Sequence, residues 1–407
     1  MLQPKPQADK PAQTTAPSAA SAAIRRSARP FCGLLDAVIV DDRGDFHFEG
    51  AIRAGEAQAS WTWFRRDLAP ELFEPYTEGD QVDVAQFQRL APELLARGRA
   101  ALAATMGSPE TERRLRVQLA GADVASRLPV VLNALRCLPL LDKARAFGRA
   151  TNGLTDDEMV TALQSMPRQD PAVAALLMMA AVGEVILPAR MIVAATKIAG
   201  NSAEDALRRM GLNPLVHAMV AHAQNTFPPL LHVGPFADID LVCRAIERFH
   251  RLIRAIVGNI DLNRGGALST TVANLTRTIS EKLETRLRDV PLHVNLGLRR
   301  LREGADRLDS DEMLAAMSGV YLLAAVRDCR DSLAVNEVFD ESWNRTGQTL
   351  EMHIERNMDG LRANPMDPVT QARLDAAIKM AEIRFGTEYA EILRRSAEGV
   401  QRRAAER

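Results

Sequence analysis

The sequence predicts a mainly α-helical protein, a helical bundle of about ten to twelve helices in two subdomains. Strong helix formers dominate the chain, helix start and stop signals recur, and apolar residues return every three or four positions. Apolar residues make up 47% of the 407 residues but aromatic residues only 4%. The interior must therefore be built from Ala, Leu, Val, Ile and the 15 Met, which favours helix–helix contacts over a β-sandwich. A chain of this length also exceeds the usual size of a single core.

Residues 1–30 are predicted to be a disordered tail, because residues 1–28 are mostly Ala, Ser, Thr, Pro and Gln. An unfolded export signal would have the same composition. Arg25-Arg26 superficially resembles a twin-arginine signal, but Asp36 cuts short the apolar stretch behind it. An organellar transit peptide is a further alternative, since the tail is rich in Arg and poor in acids.

Residues 31–80 are predicted to be a small β-rich segment that packs on helices. Three short runs have β-type patterns: Ala37–Val40, Phe46–Glu49 and Ala57–Phe64. A period of two would place Trp61 and Trp63 on one face of their strand. We expect an antiparallel meander of two or three strands, which is too small to be stable without the helices.

Residues 81–235 are predicted to form a helical subdomain. Capping residues followed by Pro at the first helical position, or by Glu three positions later, mark helix starts at Ser108-Pro109, Thr155–Glu158 and Asp170-Pro171. Asp367-Pro368 repeats the same signal later in the chain. Glycines that suit left-handed C-terminal caps follow at Gly200, Gly211 and Gly386. Pro188 should end or kink the helix that begins at Pro171. The chain is densest in apolar residues from Asp170 to Gly258, and we expect the flanking helices to bury themselves against this stretch.

Residues 236–407 are predicted to form a second helical-bundle subdomain. A soft boundary precedes it at Asn225–Asp238, where proline and glycine cluster. Apolar residues of Leu241–Gly258 and of Ala267–Val290 recur in a heptad-like seam on each side of a polar turn. This pattern predicts an αα-hairpin at 241–290, whose seam buries against another helix of the same chain or of a partner. Further helices are expected at His293–Gly304, Asp311–Ala334, Glu337–Leu361 and Pro368–Gln401.

Several classes of chemistry are disfavoured by residue spacing. The two histidines His217 and His222 are five apart, and no HExxH motif, nucleotide-binding glycine motif or GxSxG elbow occurs. The loop at Asn259–Asn263 offers alternating oxygen ligands, but Arg264 stands where a calcium loop needs glycine. Cys243 and His250 are seven apart on one helical face, about 10 Å along the axis, which is too far for proton transfer. We therefore predict no metal and no cofactor, and an enzyme is the less favoured interpretation.

Charge and cysteine content indicate a cytoplasmic protein without a strong nucleic-acid signal. The net charge of −1 supplies no general basic field, and the four cysteines are about a hundred residues apart. No window reaches the ~18 uncharged apolar residues that a membrane span requires. Charge is nevertheless segregated, because residues 240–310 carry 13 Lys/Arg against 9 Asp/Glu, and residues 36–83 carry 4 against 12. This asymmetry would steer an acidic partner to the later segment or a basic partner to the earlier one.

Two sets of residues are weak candidates for binding. One is an arginine stripe on the predicted hairpin's first helix: Arg244, Arg248, Arg251 and Arg254. A solvated helix face explains most such stripes, and Glu247 suits an i,i+4 pair with Arg251. The other set is Trp61 and Trp63, which would anchor an interface if exposed but are expected to join the small sheet to the helices.

The leading functional hypothesis is a non-enzymatic helical interaction or regulatory protein that binds a protein partner or self-associates through 241–290. Its support is strong helical organisation with segregated charge and no assembled chemical motif. The first alternative is a helical enzyme or small-ligand binder with a pocket between the two helical subdomains, around Arg244, Arg248 and His250. The second alternative is a component or substrate of an export system that uses residues 1–28 as a signal.

Overall fold

The protein is mainly helical in a computed structural model that describes residues 28–73, 81–231, 238–300 and 307–405. It contains more helices than the predicted ten to twelve. The chain divides into two compact units. The smaller unit contains the described residues up to Ile39 together with Ile52–Leu138, and the larger contains Val40–Ala51 together with Pro139–Arg407. The predicted division at residue 235 therefore lies within the larger unit, and the predicted tail at 1–27 lies outside the described residues.

In the smaller unit, short helices and strands precede three longer packed helices. These elements are β1 (Ala28–Pro30), α1 (Phe31–Leu34), β2 (Ile39–Val40), β3 (Ile52–Arg53), α2 (Ala54–Trp63), α3 (Pro70–Phe73), β4 (Gln81–Asp83), α4 (Val84–Thr105), α5 (Pro109–Gln118) and α6 (Ala122–Arg136). Helix α6 packs against α2, α4 and α5. Strand β1 pairs with β4 in antiparallel register, and β2 pairs with β3.

The predicted antiparallel meander over residues 36–66 is wrong. Ala57–Phe64 lies in helix α2 and in the π-helical turn that follows it, and Phe46–Glu49 is not a strand. Helix α2 begins where the Glu56 carboxylate accepts a hydrogen bond from the backbone N–H of Arg53, at 3.0 Å. Trp61 and Trp63 are both buried, although two residues subtend about 200° on a helix. A helix buried on opposite sides loses the 3.6-residue pattern, which explains why this one resembled a strand in sequence.

From Pro139 onward, the described part of the larger unit consists of helices and the segments that connect them, with one isolated β-bridge between Ala203 and Asp261. Its helices are α7 (Leu138–Ala150, continuing from the preceding unit), α8 (Asp156–Gln164), α9 (Pro171–Glu184), α10 (Pro188–Ala199), α11 (Glu204–Arg209), α12 (Asn213–Gln224), α13 (Pro228–Leu231), α14 (Ile239–Asn259), α15 (Ala267–Leu298), α16 (Ser310–Cys329), α17 (Asn336–Ala363), α18 (Pro368–Phe385) and α19 (Thr387–Ala405). Helix α9 is buried without interruption from Ala174 to Val182 and packs on α12. The stretch from Asp170 therefore lies at the core of this unit, as predicted.

The predicted capping signals form as expected, except that Gly386 ends its helix with φ 102° and ψ 168° instead of the left-handed helical conformation. Thr155 and Glu158 make a reciprocal capping box, and the side chain of Asp170 accepts hydrogen bonds from Ala172 and Val173. Helix α9 ends at Glu184 and α10 begins with Pro188 in its first turn. The C-cap Gly200 adopts the left-handed conformation, with φ 79°. The helix predicted over Pro368–Gln401 is divided at Gly386 into α18 and α19.

The two helices of the predicted 241–290 hairpin form but do not pack chiefly on each other, because α15 packs mainly on α16 and α14 packs on α10, α12 and α16. Their seam residues are all buried within this single chain: Val242, Ile246, Phe249, Ile253, Ile256, Leu268, Val272, Leu275, Ile279, Leu283, Leu287 and Val290. Helix α15 also continues past Pro291 to Leu298, where a separate helix was expected. Side chains of the same chain therefore already cover the seam.

Among the described helices, no single one has the length and apolar content to cross a membrane. One bent pair, Ala122–Arg136 with Leu138–Gly153, passes the same test by length and composition.

Candidate functional site

The four arginines of the α14 stripe have different surroundings. Arg244 and Arg251 are exposed and face carboxylates one turn away, Asp240 at 3.7 Å and Glu247 at 3.0 Å. Such exposed pairs contribute little to stability and leave the cations available to solvent. Arg254 is also exposed.

Arg248 departs from the rest of the stripe, because its guanidinium points into the protein. It donates hydrogen bonds to the carbonyls of Val182, at 2.6 Å, and of Val185, both at the C-terminal end of α9. Burial lowers the pKa of Arg248, and the nearby charge of Arg251 adds to this effect. Arg248 therefore caps the end of α9, where it binds the carbonyl of Val185 and adds a second donor to that of Val182, which also accepts from the Val185 N–H.

His222 reaches the same helix end from α12. Its Nε2 lies 2.8 Å from the carbonyl oxygen of Met179, so Nε2 carries the proton and donates. Burial, and secondarily the charge of Arg248, lower the pKa of His222 to about 4 against the opposing effect of that hydrogen bond. The neutral imidazole is therefore a structural donor at pH 7.

Other predicted residues also lie in packed surroundings. Trp61 contacts Phe73 edge to face, with ring centroids 5.1 Å apart, and the indole of Trp63 donates to Gln118 at 3.3 Å. Both are too deeply buried to anchor a partner, with 1% and 2% of their surface exposed. His250, in the alternative pocket, is partly buried, and burial lowers its pKa. The guanidinium of Arg248 is already bound to the carbonyls of Val182 and Val185.

No group of three or more His, Cys, Asp or Glu side chains is placed to hold a metal within the part of the chain that the structure describes. In the loop Asn259–Asn263, the carboxylate of Asp261 accepts a hydrogen bond from the hydroxyl of Ser202. Glu204 beside it accepts from the backbone of Asn263 and pairs with Arg208 at 3.0 Å. These contacts fix the turn between α14 and α15 to the start of α11.

A polypeptide segment bound by side-chain amides is the most specific arrangement in the larger unit. Segment Val40–Ala51 crosses the C-terminal end of α12, and its residues 41–51, all described, contain no helix or strand. The amide of Gln224 brackets Phe46, because Oε1 accepts from its N–H at 2.8 Å and Nε2 donates to its carbonyl at 3.2 Å. Asn225 accepts from the N–H of Asp41 at 2.8 Å. These amides replace the hydrogen bonds that a neighbouring strand would supply.

Aromatic and glycine contacts complete the binding of this segment. The imidazole of His217 lies edge to face between Phe46 and Phe48, with both centroid separations at 5.9 Å. Gly50 lies so close to α9 that an added Cβ would stand 2.2 Å from the carbonyl oxygen of Ala175. We call the side chains of His217, Gln224 and Asn225, with the backbone of Ala175, the cradle.

Two cavities flank the segment on the larger unit. One has a volume of about 160 Å³ and the other about 350 Å³. Both are lined by Arg43, Gly44, Gln224, Phe227 and Thr278. Helix α15 adds Thr271 and Asn274 to the larger cavity, at helical spacing along one face.

This surface can bind a polypeptide backbone through amide groups and aromatic side chains through His217. Reasoning from sequence missed it, because Gln224-Asn225 is an unremarkable polar pair at a helix end. The one available signal was Phe46-His47-Phe48 in a segment with a strand-like period, which indicated a need for backbone partners. Nothing in the sequence indicated that side chains would provide those partners.

No family model, curated protein or solved structure matches this chain.

Proposed function

We propose that the protein is a non-enzymatic helical interaction or regulatory protein whose larger unit binds polypeptide segments. One observation carries this proposal: the larger unit already binds Val40–Ala51 through side-chain contacts to its backbone. The function therefore depends on recognition, and the residues assigned to it are those of the cradle.

The cradle combines the two components of peptide recognition. Hydrogen bonds to main-chain groups supply affinity with little regard to sequence, and pockets for particular side chains supply specificity. Gln224 provides the first component at Phe46, and His217 provides the second for two aromatic rings. Arg244 and Arg251 on α14, exposed to solvent, are proposed as secondary contacts for an acidic partner.

Self-association and a cytoplasmic location stay predictions. The apolar seam of 241–290 is buried in the single chain, so a second copy would have to use another surface. The export alternative depends on residues 1–28, almost all of which lie outside the described residues.

Selection from a random peptide library on the purified full-length protein tests this function. We expect enriched peptides that bind in solution, as measured by fluorescence anisotropy of labelled copies. A parallel thermal-shift screen with common metabolites tests the small-ligand alternative. Absence of any enriched peptide, together with a metabolite that raises Tm, would overturn the proposal in favour of that alternative.

A further inference from the structure

We propose that Val40–Ala51 is a resident ligand, and that partner peptides with the pattern Phe-x-Phe-x-Gly bind the cradle in its place. The inference rests on the proposed function and identifies its binding site and partner chemistry. The pattern is that of the segment itself, Phe46-His47-Phe48-Glu49-Gly50. A partner peptide that displaces the segment must make the same contacts that hold these residues.

The first requirement is an accessible backbone at the first aromatic residue. Gln224 is only 8% exposed, and its amide is satisfied by the N–H and carbonyl of Phe46. A buried amide without partners is costly, so this side chain favours any peptide that restores both hydrogen bonds. Any residue except proline offers both groups, so this contact alone does not select a sequence.

The second requirement is the spacing of side chains. Phe46 and Phe48 meet the same imidazole, His217, from two directions, which selects two aromatic residues separated by one. Gly50 follows two residues later, against the backbone of Ala175, where a Cβ would stand 2.2 Å from its oxygen and 2.4 Å from its carbon. Glycine is therefore selected by close approach, because the opposing atoms belong to a buried helix that cannot yield cheaply.

The third requirement is that the resident segment can leave the cradle and a partner peptide can take its place. Residues 41–51 belong to no helix or sheet, so their release breaks no cooperative ladder. Cavities of about 160 and 350 Å³ lie beside the segment next to Gln224, so its residues 43 and 44 are not packed on all sides. A tethered segment competes at an effective concentration in the millimolar range, so wild-type protein should bind the same sequence in trans only weakly.

Weakening the resident segment in the full-length protein tests this inference. The probe is a fluorescein-labelled peptide with the sequence of residues 40–51, titrated in anisotropy. Gly50→Ala is expected to bind it at least tenfold more tightly than wild type, because the substitution affects the resident segment and leaves the cradle intact. Gly258→Ala is the matched control, since its Cβ would meet nothing within 4 Å, and it should keep wild-type affinity.

Two further variants identify the site. Adding Gln224→Ala to Gly50→Ala should remove the gain in affinity, whereas adding Gln371→Ala, an exposed glutamine on α18, should not. A probe peptide with both phenylalanines replaced by alanine should not bind. If Gly50→Ala fails to fold, hydrogen exchange of wild-type protein in excess isotopically labelled peptide replaces it, and the chain's own residues 40–51 should then exchange faster.

The outcomes separate the two proposals. Equal affinity of wild type and Gly50→Ala, or unchanged exchange over residues 40–51, overturns the resident-ligand inference. Library-selected peptides that bind regardless of Gln224→Ala leave the proposed function standing and assign it to another surface. If neither the probe nor any library peptide binds, both proposals are wrong.

Discussion

His222 makes the stability of the larger unit depend on pH, and His222→Gln should remove that part of the dependence. Burial and the nearby charge of Arg248 keep the imidazole neutral while it donates to the carbonyl of Met179, although that hydrogen bond by itself favours the protonated ring. Glutamine can still donate an N–H to the carbonyl but cannot be protonated. The substitution therefore separates the hydrogen bond from the titration.

The size of this pH-dependent stabilisation follows from the shift in the pKa of His222. The ordinary pKa of 6.5 falls to about 4 in the folded protein, and a shift of that size corresponds to about 3 kcal/mol. His222 retains some contact with solvent, so we expect about 2 kcal/mol after screening. The unfolded state binds a proton more readily than the folded state between these two pKa values. This stabilisation is therefore complete above pH 6.5 and is lost as the pH falls towards 4.

Urea unfolding followed by circular dichroism at pH 8 and pH 4.5 measures the effect. Wild type should lose about 2 kcal/mol more of its unfolding free energy on this acid shift than His222→Gln does. His47→Gln is the matched control, because it removes an exposed imidazole from the same unit. An identical acid-induced loss in wild type and His222→Gln would refute the reasoning that links this ring to the end of α9.

Two further predictions concern the same helix. Gly148→Ala should destabilise the protein by roughly 1–3 kcal/mol in thermal unfolding, because the added Cβ would stand 2.2 Å from the carbonyl oxygen of Ala181. Gly258→Ala is the control and should be neutral or slightly stabilising, because its added Cβ would meet nothing within 4 Å. Arg248→Ala should cost about 1–3 kcal/mol by removing two hydrogen bonds, to the carbonyls of Val182 and Val185 at the end of α9. Arg251→Ala should change the unfolding free energy by less than about 0.5 kcal/mol in the same assay. Equal effects of the two arginine substitutions would contradict the structural role of Arg248.

Local signals made the helices predictable from sequence. A capping box at Thr155, a side-chain cap at Asp170 and a left-handed glycine at Gly200 each act within one turn, and the structure confirms all three. Trp61 and Trp63 were misassigned to a strand because α2 is buried on opposite sides, so tertiary packing overrides the periodic signal there.

The candidate site lies beyond such local signals. Gln224 and Phe46 are 178 residues apart, and Asn225 and Asp41 are 184 apart. Periodicity and capping describe neighbours in sequence, so they carry no information about which distant backbone an amide will meet. The strand-like pattern at Phe46 and Phe48 predicted a strand, which is wrong, because these residues belong to no strand and a helix end supplies the hydrogen-bond partners of the Phe46 backbone.

The arginines of α14 show why a surface pattern cannot assign function by itself. Arg244, Arg248 and Arg251 follow one another at helical spacing and have the same chemistry, yet Arg248 caps a buried helix end while the other two face solvent beside carboxylates. The difference is made by α9, whose terminal carbonyls reach Arg248. A binding role for the stripe can therefore involve only its exposed members, and it requires a partner that competes with Asp240 and Glu247 for them. The cradle differs from the stripe, because its amides bind a polypeptide backbone, and a partner there would compete with the chain's own segment Val40–Ala51 rather than with carboxylates.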